Sequence, residues 1–181
     1  LGYAVDTSIT PFTDWTEYHG PDFSKMTPQP YRFRIPDVFK SLNDGEMTEV
    51  PASIGYLQNN FDWCGSIDQR LNQKLGRILR LKGILFKLNL MTKVWLSPET
   101  SDAFRMMQLT SVLISKKFEV VNMFFHSTSL MAGLSFFVKT KNDERQFLNS
   151  IREYFTFTTE AGLRPVKLSE AGDVIRRARS L

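Results

Sequence analysis

The chain has 181 residues, of which 42% are hydrophobic and 23% are charged, a composition typical of folded globular proteins that excludes a disordered chain. A formal net charge of +4 does not by itself indicate a nucleic-acid binder, and we expect no nucleic-acid partner. The single cysteine, Cys64, excludes an intrachain disulfide and a cysteine-built zinc site, and it favours a reducing, cytoplasmic location.

No run of about 20 apolar residues occurs, so the sequence predicts no transmembrane helix. The first residues have neither an initiator methionine nor the basic and apolar regions of a signal peptide. We therefore expect the chain to begin inside a domain, with residues 1–181 forming one domain or a large part of one.

The N-terminal segment predicts a strand followed by one long loop. Residues 3–10 alternate loosely between apolar and polar side chains, as in a half-buried strand, and Pro11 ends this pattern. Residues 11–30 are rich in prolines and aromatic side chains, and a loop of this length is usually either functional or disordered. The aromatic content favours an ordered, functional loop.

Two further strands are predicted at residues 31–38 and 47–57, on either side of a turn at residues 43–45. Pro51 lies within the second strand and favours an edge position or a bulge, because proline has no N–H to donate.

The middle of the chain predicts a helix at residues 66–82, followed by a short helix and a loop at residues 84–95. Between Arg70 and Lys93 the charged residues are all basic. Such a segment can contact an anionic glycan, a membrane surface or nucleic acid, although a solvated helix face is the commoner role.

From residue 97 the predicted elements alternate. Ser97-Pro98-Glu99 predicts the start of a helix, because it combines a capping hydroxyl, a proline in the first turn and an acid near the positive end of the helix dipole. The nearly continuous apolar run at residues 119–125 predicts a strand covered on both faces.

The next helix is predicted to begin at a capping box formed by Thr140 and Asp143, with Gly162 just beyond its end. Residues 164–168 predict a last strand, and a final helix follows. The order helix, strand, helix, strand, helix over residues 97–181 is typical of parallel α/β architecture.

His126 directly follows the predicted strand at residues 119–125, and active sites of α/β proteins gather at such strand ends. Neutral imidazole donates or accepts a proton near pH 7, so His126 is a candidate for protonating a leaving amine. A structural role is the alternative for a lone histidine at a strand end. His19, the other histidine, is expected on the solvated surface of the long loop.

Three aspartates, Asp6, Asp14 and Asp22, lie near the end of the first predicted strand. Such carboxylates can serve a base or a metal, but capping and turn roles are commoner for aspartate in loops. Trp15 is a candidate wall of a sugar site, with simple packing as the alternative. Neither a Gly-x-Ser-x-Gly elbow nor a phosphate-binding glycine loop occurs, so serine-nucleophile and nucleotide chemistry lack support.

Residues 121–135, Val-Asn-Met-Phe-Phe-His-Ser-Thr-Ser-Leu-Met-Ala-Gly-Leu-Ser, resemble the last catalytic motif of polysaccharide deacetylases. The chain is similar to a bacterial subfamily, often labelled WalW-like, that is found with exopolysaccharide and lipopolysaccharide biosynthesis. Residues 1–8 and 163–170 match the same pattern. The resemblance covers most of the chain, strongly in the last third and weakly between residues 58 and 95.

The resemblance implies an α/β fold in which this chain is the C-terminal part of a distorted (β/α) barrel of the NodB-homology type. Such domains remove N- or O-acetyl groups from sugars with a divalent metal, expected to be zinc. The resemblance makes His126 the general acid and implies that Asp14 and Trp15 form an Asp-Trp pair, in which the tryptophan lines the acetyl pocket. Ser127, next to the histidine, is expected in the site for an acetylated polysaccharide or sugar.

The chain departs from the family pattern at the metal. In the family, an aspartate pair and a His-x-x-x-His motif precede the segment that the first residues of this chain resemble. With two histidines and no such motif, we expect no family-type metal site and no activity without the N-terminal half of the domain. Half a barrel would also expose a sheet edge and apolar faces that earlier strands cover.

The leading hypothesis is therefore metal-dependent deacetylation by the complete domain. The alternative is a non-catalytic glycan-binding or structural module that keeps the aromatic loop.

Overall fold

The structure is a computed structural model that describes residues 3–35, 37–72, 81–88 and 90–179. The fold is mixed α/β. The strands are β1 (Val5–Asp6), β2 (Tyr31–Phe33), β3 (Met47–Glu49), β4 (Ile54–Tyr56) and β5 (Lys93–Trp95). The α-helices are α1 (Phe61–Asn72), α2 (Leu81–Lys87), α3 (Ala103–Ser115), α4 (Lys141–Glu160) and α5 (Leu168–Arg179).

The strands form two small sheets, and no closed barrel forms among the described residues. In the larger sheet β3 is central: it pairs in parallel with β1, placing Asp6 beside Glu49, and antiparallel with β2, placing Tyr31 beside Glu49. In the smaller sheet β4 pairs antiparallel with β5. The loose pattern at residues 3–10 therefore yields only a two-residue strand.

The predicted strand at residues 47–57 is divided into β3 and β4. The division falls at residues 50–53, which include Pro51, and there the backbone changes partners. Ala52 N donates to Ile9 O, whereas Ser53 N donates to Asn122 O on the other side. Pro51 therefore lies at a break between two strands, where the sequence predicted an edge position or a bulge within one strand.

Residues 119–125 are extended but form no strand ladder, so the prediction of a strand covered on both faces is wrong. One edge is paired: Asn122 O accepts from Ser53 N, and Phe124 N donates to Leu96 O. On the other edge, the backbone groups of Val121, Met123 and Phe125 have no hydrogen bond with described residues. The side chains are half-buried, because only one side of the segment has a neighbouring chain.

Three boundaries in the middle of the chain differ from prediction. α1 begins at Phe61, five residues before the expected start, and β5 occupies the end of residues 84–95, where a loop was expected. α3 begins after the N-cap Asp102, whose carboxylate accepts from Arg105 N, and not at Ser97. Ser97 O instead accepts from the N–H groups of residues 100 and 101, so the segment is a turn.

Residues 164–168 are largely exposed and form no strand, because no neighbouring chain pairs with them. Across residues 97–179, all of which the structure describes, helices follow one another without the predicted strands between them. Residues 73–80 lie outside the described part of the chain, and with them much of the predicted helix at 66–82 and of the basic segment.

Two local predictions for α4 are confirmed. Thr140 Oγ1 accepts from Asp143 N, and the Asp143 carboxylate accepts from Thr140 N, which completes the capping box. Beyond the helix, Gly162 has φ of 74°. This left-handed conformation suits glycine and lets Gly162 N and Leu163 N donate to carbonyls of the last turn.

The largest core lies between the smaller sheet and the helix pair α3–α4, and it is centred on fully buried side chains such as Tyr56, Leu96, Leu109 and Leu113. Buried Thr110 on α3 is hydrogen-bonded to Tyr154 on α4 through their hydroxyl oxygens, 2.9 Å apart. Cys64 is buried in this core, as a small apolar residue would be, and burial raises the pKa of its thiol.

Two smaller cores complete the packing. Ile9, Phe23, Tyr31 and Phe33 fix the long loop against the larger sheet. Helix α5 covers the same sheet, where Val50, Ala171 and Ile175 form the third core.

Apolar side chains remain on the surface. A groove of about 590 Å³ lies between residues 118–123, helix α4 and the segment that follows it, and its walls include Val121, Met123, Phe155 and Val166. Phe155 exposes 52% of its surface. Among the described helices, none combines the length and the apolar character needed to cross a bilayer.

Candidate functional site

His126 stands where the extended segment at residues 119–125 gives way to a short 3₁₀-helix, Ser127–Leu130. Its own backbone is still extended, with φ of −80° and ψ of 134°. The side chain is 73% exposed, so this histidine is accessible to a ligand from solvent.

Glu99 is the direct partner of His126. The carboxylate oxygens lie 2.9 Å and 3.1 Å from His126 Nδ1, and Oε1 also accepts from His126 N at 3.0 Å. Ser129 Oγ donates to the same oxygen, Oε1. Only 3% of the Glu99 side chain is exposed, so the carboxylate is fixed beneath the imidazole.

The backbone brings Glu99 and His126 together. Phe124 N donates to Leu96 O, so the end of β5 and the end of the extended segment lie side by side. The turn that replaces the predicted helix start then directs Glu99 towards His126. Behind them, the hydroxyl oxygens of Ser129 and Ser135 are hydrogen-bonded at 3.0 Å, and Ser135 Oγ accepts from Val138 N, which fixes the loop at 131–138.

This geometry selects one tautomer of the neutral imidazole. Because Nδ1 faces the Glu99 carboxylate, the proton lies on Nδ1 and the lone pair on Nε2. Nε2 has no hydrogen bond with the described residues and belongs to an exposed ring. A histidine oriented by a buried carboxylate can take up a proton at Nε2 and deliver it to a bound substrate.

Trp15 is held in place by its neighbours within the long loop at residues 11–30. Its indole Nε1 donates to Thr10 Oγ1 at 2.7 Å, and Gly20 packs so closely that an added Cβ would lie 2.7 Å from Trp15 Cβ. Its ring makes an edge contact with Trp95, and Trp95 lies 5.9 Å from Phe124 between ring centroids. An aromatic series thus joins the loop to the segment that carries His126.

Asp14 has a turn role in the structure. It is exposed, its carboxylate accepts from Thr16 N, and its backbone pairs with Asp22 in an isolated bridge. Asp22 accepts from Ser24 N in the same manner. The structure therefore gives these aspartates the commoner of the two roles that the sequence left open.

Ser127 and His19 are exposed. The Ser127 hydroxyl has no hydrogen bond with the described residues and lies one position after His126. The serine that contacts the site is Ser129, which is fully buried. His19 lies on the loop surface as expected and ends a 3₁₀-turn in the left-handed conformation, with φ of 58°.

No local pattern in the sequence pointed to the partnership of His126 with Glu99, which lies 27 residues before it. The signal that existed, the Ser97-Pro98-Glu99 motif, was interpreted as a helix start. Phe137 was also missed: its ring is stacked on that of His126, with an interplanar angle of 17° and 6.2 Å between centroids.

A second buried carboxyl group lies apart from His126. Glu49 is fully buried, its Oε1 accepts from Ile9 N at 3.1 Å, and its Oε2 has no hydrogen-bond partner. Burial, and then the adjacent Asp6, raise the pKa of Glu49 to about 8. Asp6 itself accepts from Thr7 N and Ser8 Oγ.

A zinc centre of the expected kind does not fit the described residues. They contain no group of three or more His, Cys, Asp or Glu side chains placed to hold a metal ion. Such a site needs at least three protein ligands.

No protein-family model, curated protein or solved structure matches the chain.

Proposed function

We propose that the complete domain removes acetyl groups from a cell-surface polysaccharide or its sugar precursor, with His126 as the general acid. The observation that carries this proposal is the pair of a buried Glu99 carboxylate and an exposed His126 imidazole, 2.9 Å apart. The resemblance of residues 121–135 to a deacetylase motif supports the same role.

In this proposal His126 protonates the departing amine or alcohol as the bond to the acetyl carbon breaks. The protonated imidazole donates its Nε2 proton, while its Nδ1–H remains hydrogen-bonded to the Glu99 carboxylate. The negative charge of Glu99 stabilises the imidazolium. Ser129 and the His126 backbone N–H hold the carboxylate in place. Trp15 and Trp95 supply aromatic surface on which a sugar ring can stack.

The barrel and its metal are part of the proposal. The free edge at residues 121–125 and the apolar groove beside it fit the place of further strands of a (β/α) barrel. A divalent metal, with ligands from an N-terminal half that supplies those strands, would provide the activated water.

Replacing His126 with alanine in the full-length protein tests the assignment. We expect acetate release from an acetylated polysaccharide to fall by about 10²- to 10⁴-fold, with an unchanged circular dichroism spectrum. The exposed His19→Ala variant is the matched control and should retain turnover. Near-normal turnover in His126→Ala would refute the role of general acid.

The ordered aromatic loop favours one alternative, a glycan-binding module without catalysis. Such a module would bind sugar in a manner that depends on Trp15 and is insensitive to chelator, and it would release no acetate.

A further inference from the structure

A polar cleft of about 280 Å³ adjoins the His126 site, between the turn before α3 and the first turns of α4. Two of its walls, Glu99 and Phe137, are also the groups that contact His126. The cleft is near the lower end of the volumes of small-ligand sites, roughly 300–1,000 Å³. Its size suits one small polar unit at a time.

The cleft has hydrogen-bonding groups that the fold leaves unused. The Gln146 amide and the hydroxyl groups of Ser101 and Ser150 line it and have no hydrogen bond with the described part of the chain. Asp143 uses Oδ2 to accept from the N–H groups of residues 139 and 140, which leaves Oδ1 available. Hydrogen bonds from Thr140 hold the pKa of Asp143 below its usual range, so this acceptor is ionised at neutral pH.

These groups match the chemistry of a neutral sugar. Sugar hydroxyls donate to a carboxylate and exchange hydrogen bonds with amides and hydroxyls, while the apolar face of the ring packs on an aromatic side chain such as Phe137. An anionic unit is disfavoured, because Asp102, Asp143 and Glu99 give the cleft a negative lining.

We propose that this cleft is a subsite for one neutral sugar unit, adjacent to the unit on which His126 acts. The inference rests on the proposed function, because it takes the substrate to be a polysaccharide longer than one residue. It adds a binding determinant on α4, namely Gln146 and Ser150, that is separate from the aromatic loop.

The test is a titration of the ¹⁵N-labelled chain with tetrasaccharides of N-acetylglucosamine, glucose and galacturonate, followed by NMR. We expect shifts in residues 99–102 and 143–150, with a neutral tetrasaccharide binding more tightly than the galacturonate one. Gln146→Ala and Ser150→Ala should each weaken binding by about two- to tenfold, the effect of one lost hydrogen bond. Asn142→Ala, an exposed amide on the same helix, is the matched control and should bind normally.

The subsite is refuted if no tetrasaccharide shifts these residues, if the shifts occur only in the loop at 11–30, or if Asn142→Ala binds as weakly as the cleft variants. Because binding is measured without turnover, this outcome is independent of the deacetylase assay. Sugar binding at the cleft together with normal acetate release by His126→Ala would refute the general acid and leave the subsite standing.

Discussion

At the scale of single residues, buried Glu99 and buried Glu49 show two ways of keeping a carboxyl group in a protein interior. Glu99 accepts hydrogen bonds from a backbone N–H, an imidazole and a hydroxyl, so its charge is compensated. Glu49 accepts one backbone hydrogen bond and has a free oxygen beside Asp6, so it keeps its proton instead. Only the first arrangement leaves a charge available for chemistry.

Glu99→Gln tests whether the charge beneath His126 matters. The amide has nearly the same shape but cannot stabilise an imidazolium, so we expect kcat of the full-length protein to fall by about 10- to 100-fold with little change in KM. Glu153→Gln, on the exposed face of α4, is the control and should behave as wild type. Equal kinetics in Glu99→Gln and wild type would show that Glu99 has only a packing role.

The raised pKa of Glu49 predicts that the folded protein loses stability at alkaline pH. Its pKa is raised from 4.5 to about 8 in the folded protein, so the folded state holds this proton more tightly than the unfolded state. The resulting stabilisation is complete below pH 4.5 and is lost as the pH rises through 8.

Urea unfolding of wild type and Glu49→Gln between pH 5 and pH 9 measures this effect. We expect the free energy of unfolding of the wild type to fall by roughly a few kcal/mol relative to the variant, which cannot ionise. Glu46→Gln, an exposed neighbour, should follow the wild type. Parallel pH profiles for wild type and Glu49→Gln would contradict an unusual protonation state of Glu49.

At the scale of elements, the two ends of α4 were predictable, whereas the local signal at Ser97-Pro98-Glu99 marks a turn and not a helix start. The capping box of α4 and the glycine after it depend on residues a few positions apart, and the sequence displays both. Pairing between strands depends on residues that are distant in sequence. The apolar run at 119–125 indicates burial, but it does not show that Ser53 and Leu96 pair with only one edge of this segment. For the same reason the sequence could make His126 a candidate but could not show that the Glu99 carboxylate contacts it.

Thr140→Ala tests the contribution of the capping box. The variant removes the hydroxyl that accepts from Asp143 N at the first turn of α4 and keeps the backbone N–H that donates to the Asp143 carboxylate, so we expect a loss of about 0.5–2 kcal/mol in the free energy of unfolding. Thr156→Ala, an exposed position towards the C-terminal end of the same helix, should be neutral or slightly stabilising because alanine has the higher helix propensity. Chemical denaturation of both variants gives the comparison.

At the scale of the whole molecule, the exposed apolar groove and the free edge beside it are the features that most resemble an interface. The groove is bordered by the unpaired backbone of Val121 and Met123, which offers hydrogen bonds to an added strand. Under the proposed function, further strands of a barrel would cover this surface.

Phe155→Glu tests whether the groove binds apolar partners. The wild-type chain should bind a hydrophobic fluorescent dye and self-associate with rising concentration, and the charge in the groove should reduce both. Phe136→Glu, which changes another exposed phenylalanine outside the groove, should leave groove-dependent association unchanged. Dye fluorescence and sedimentation velocity give the two readings, and equal effects of both variants would argue against a specific surface.

The pairing of β1 has a consequence for how the protein is made. Strand β1 and the residues after it leave the ribosome before their partners: Ile9 N meets the Glu49 carboxylate 40 residues later, and the Thr7 hydroxyl meets the Asn122 amide 115 residues later. At roughly 5–20 residues per second, synthesis of the longer interval takes on the order of ten seconds. The newborn chain therefore passes through a short period in which β1 has no partner strand, because β3 is still to be made. A longer period follows in which Thr7 still lacks its contact with Asn122.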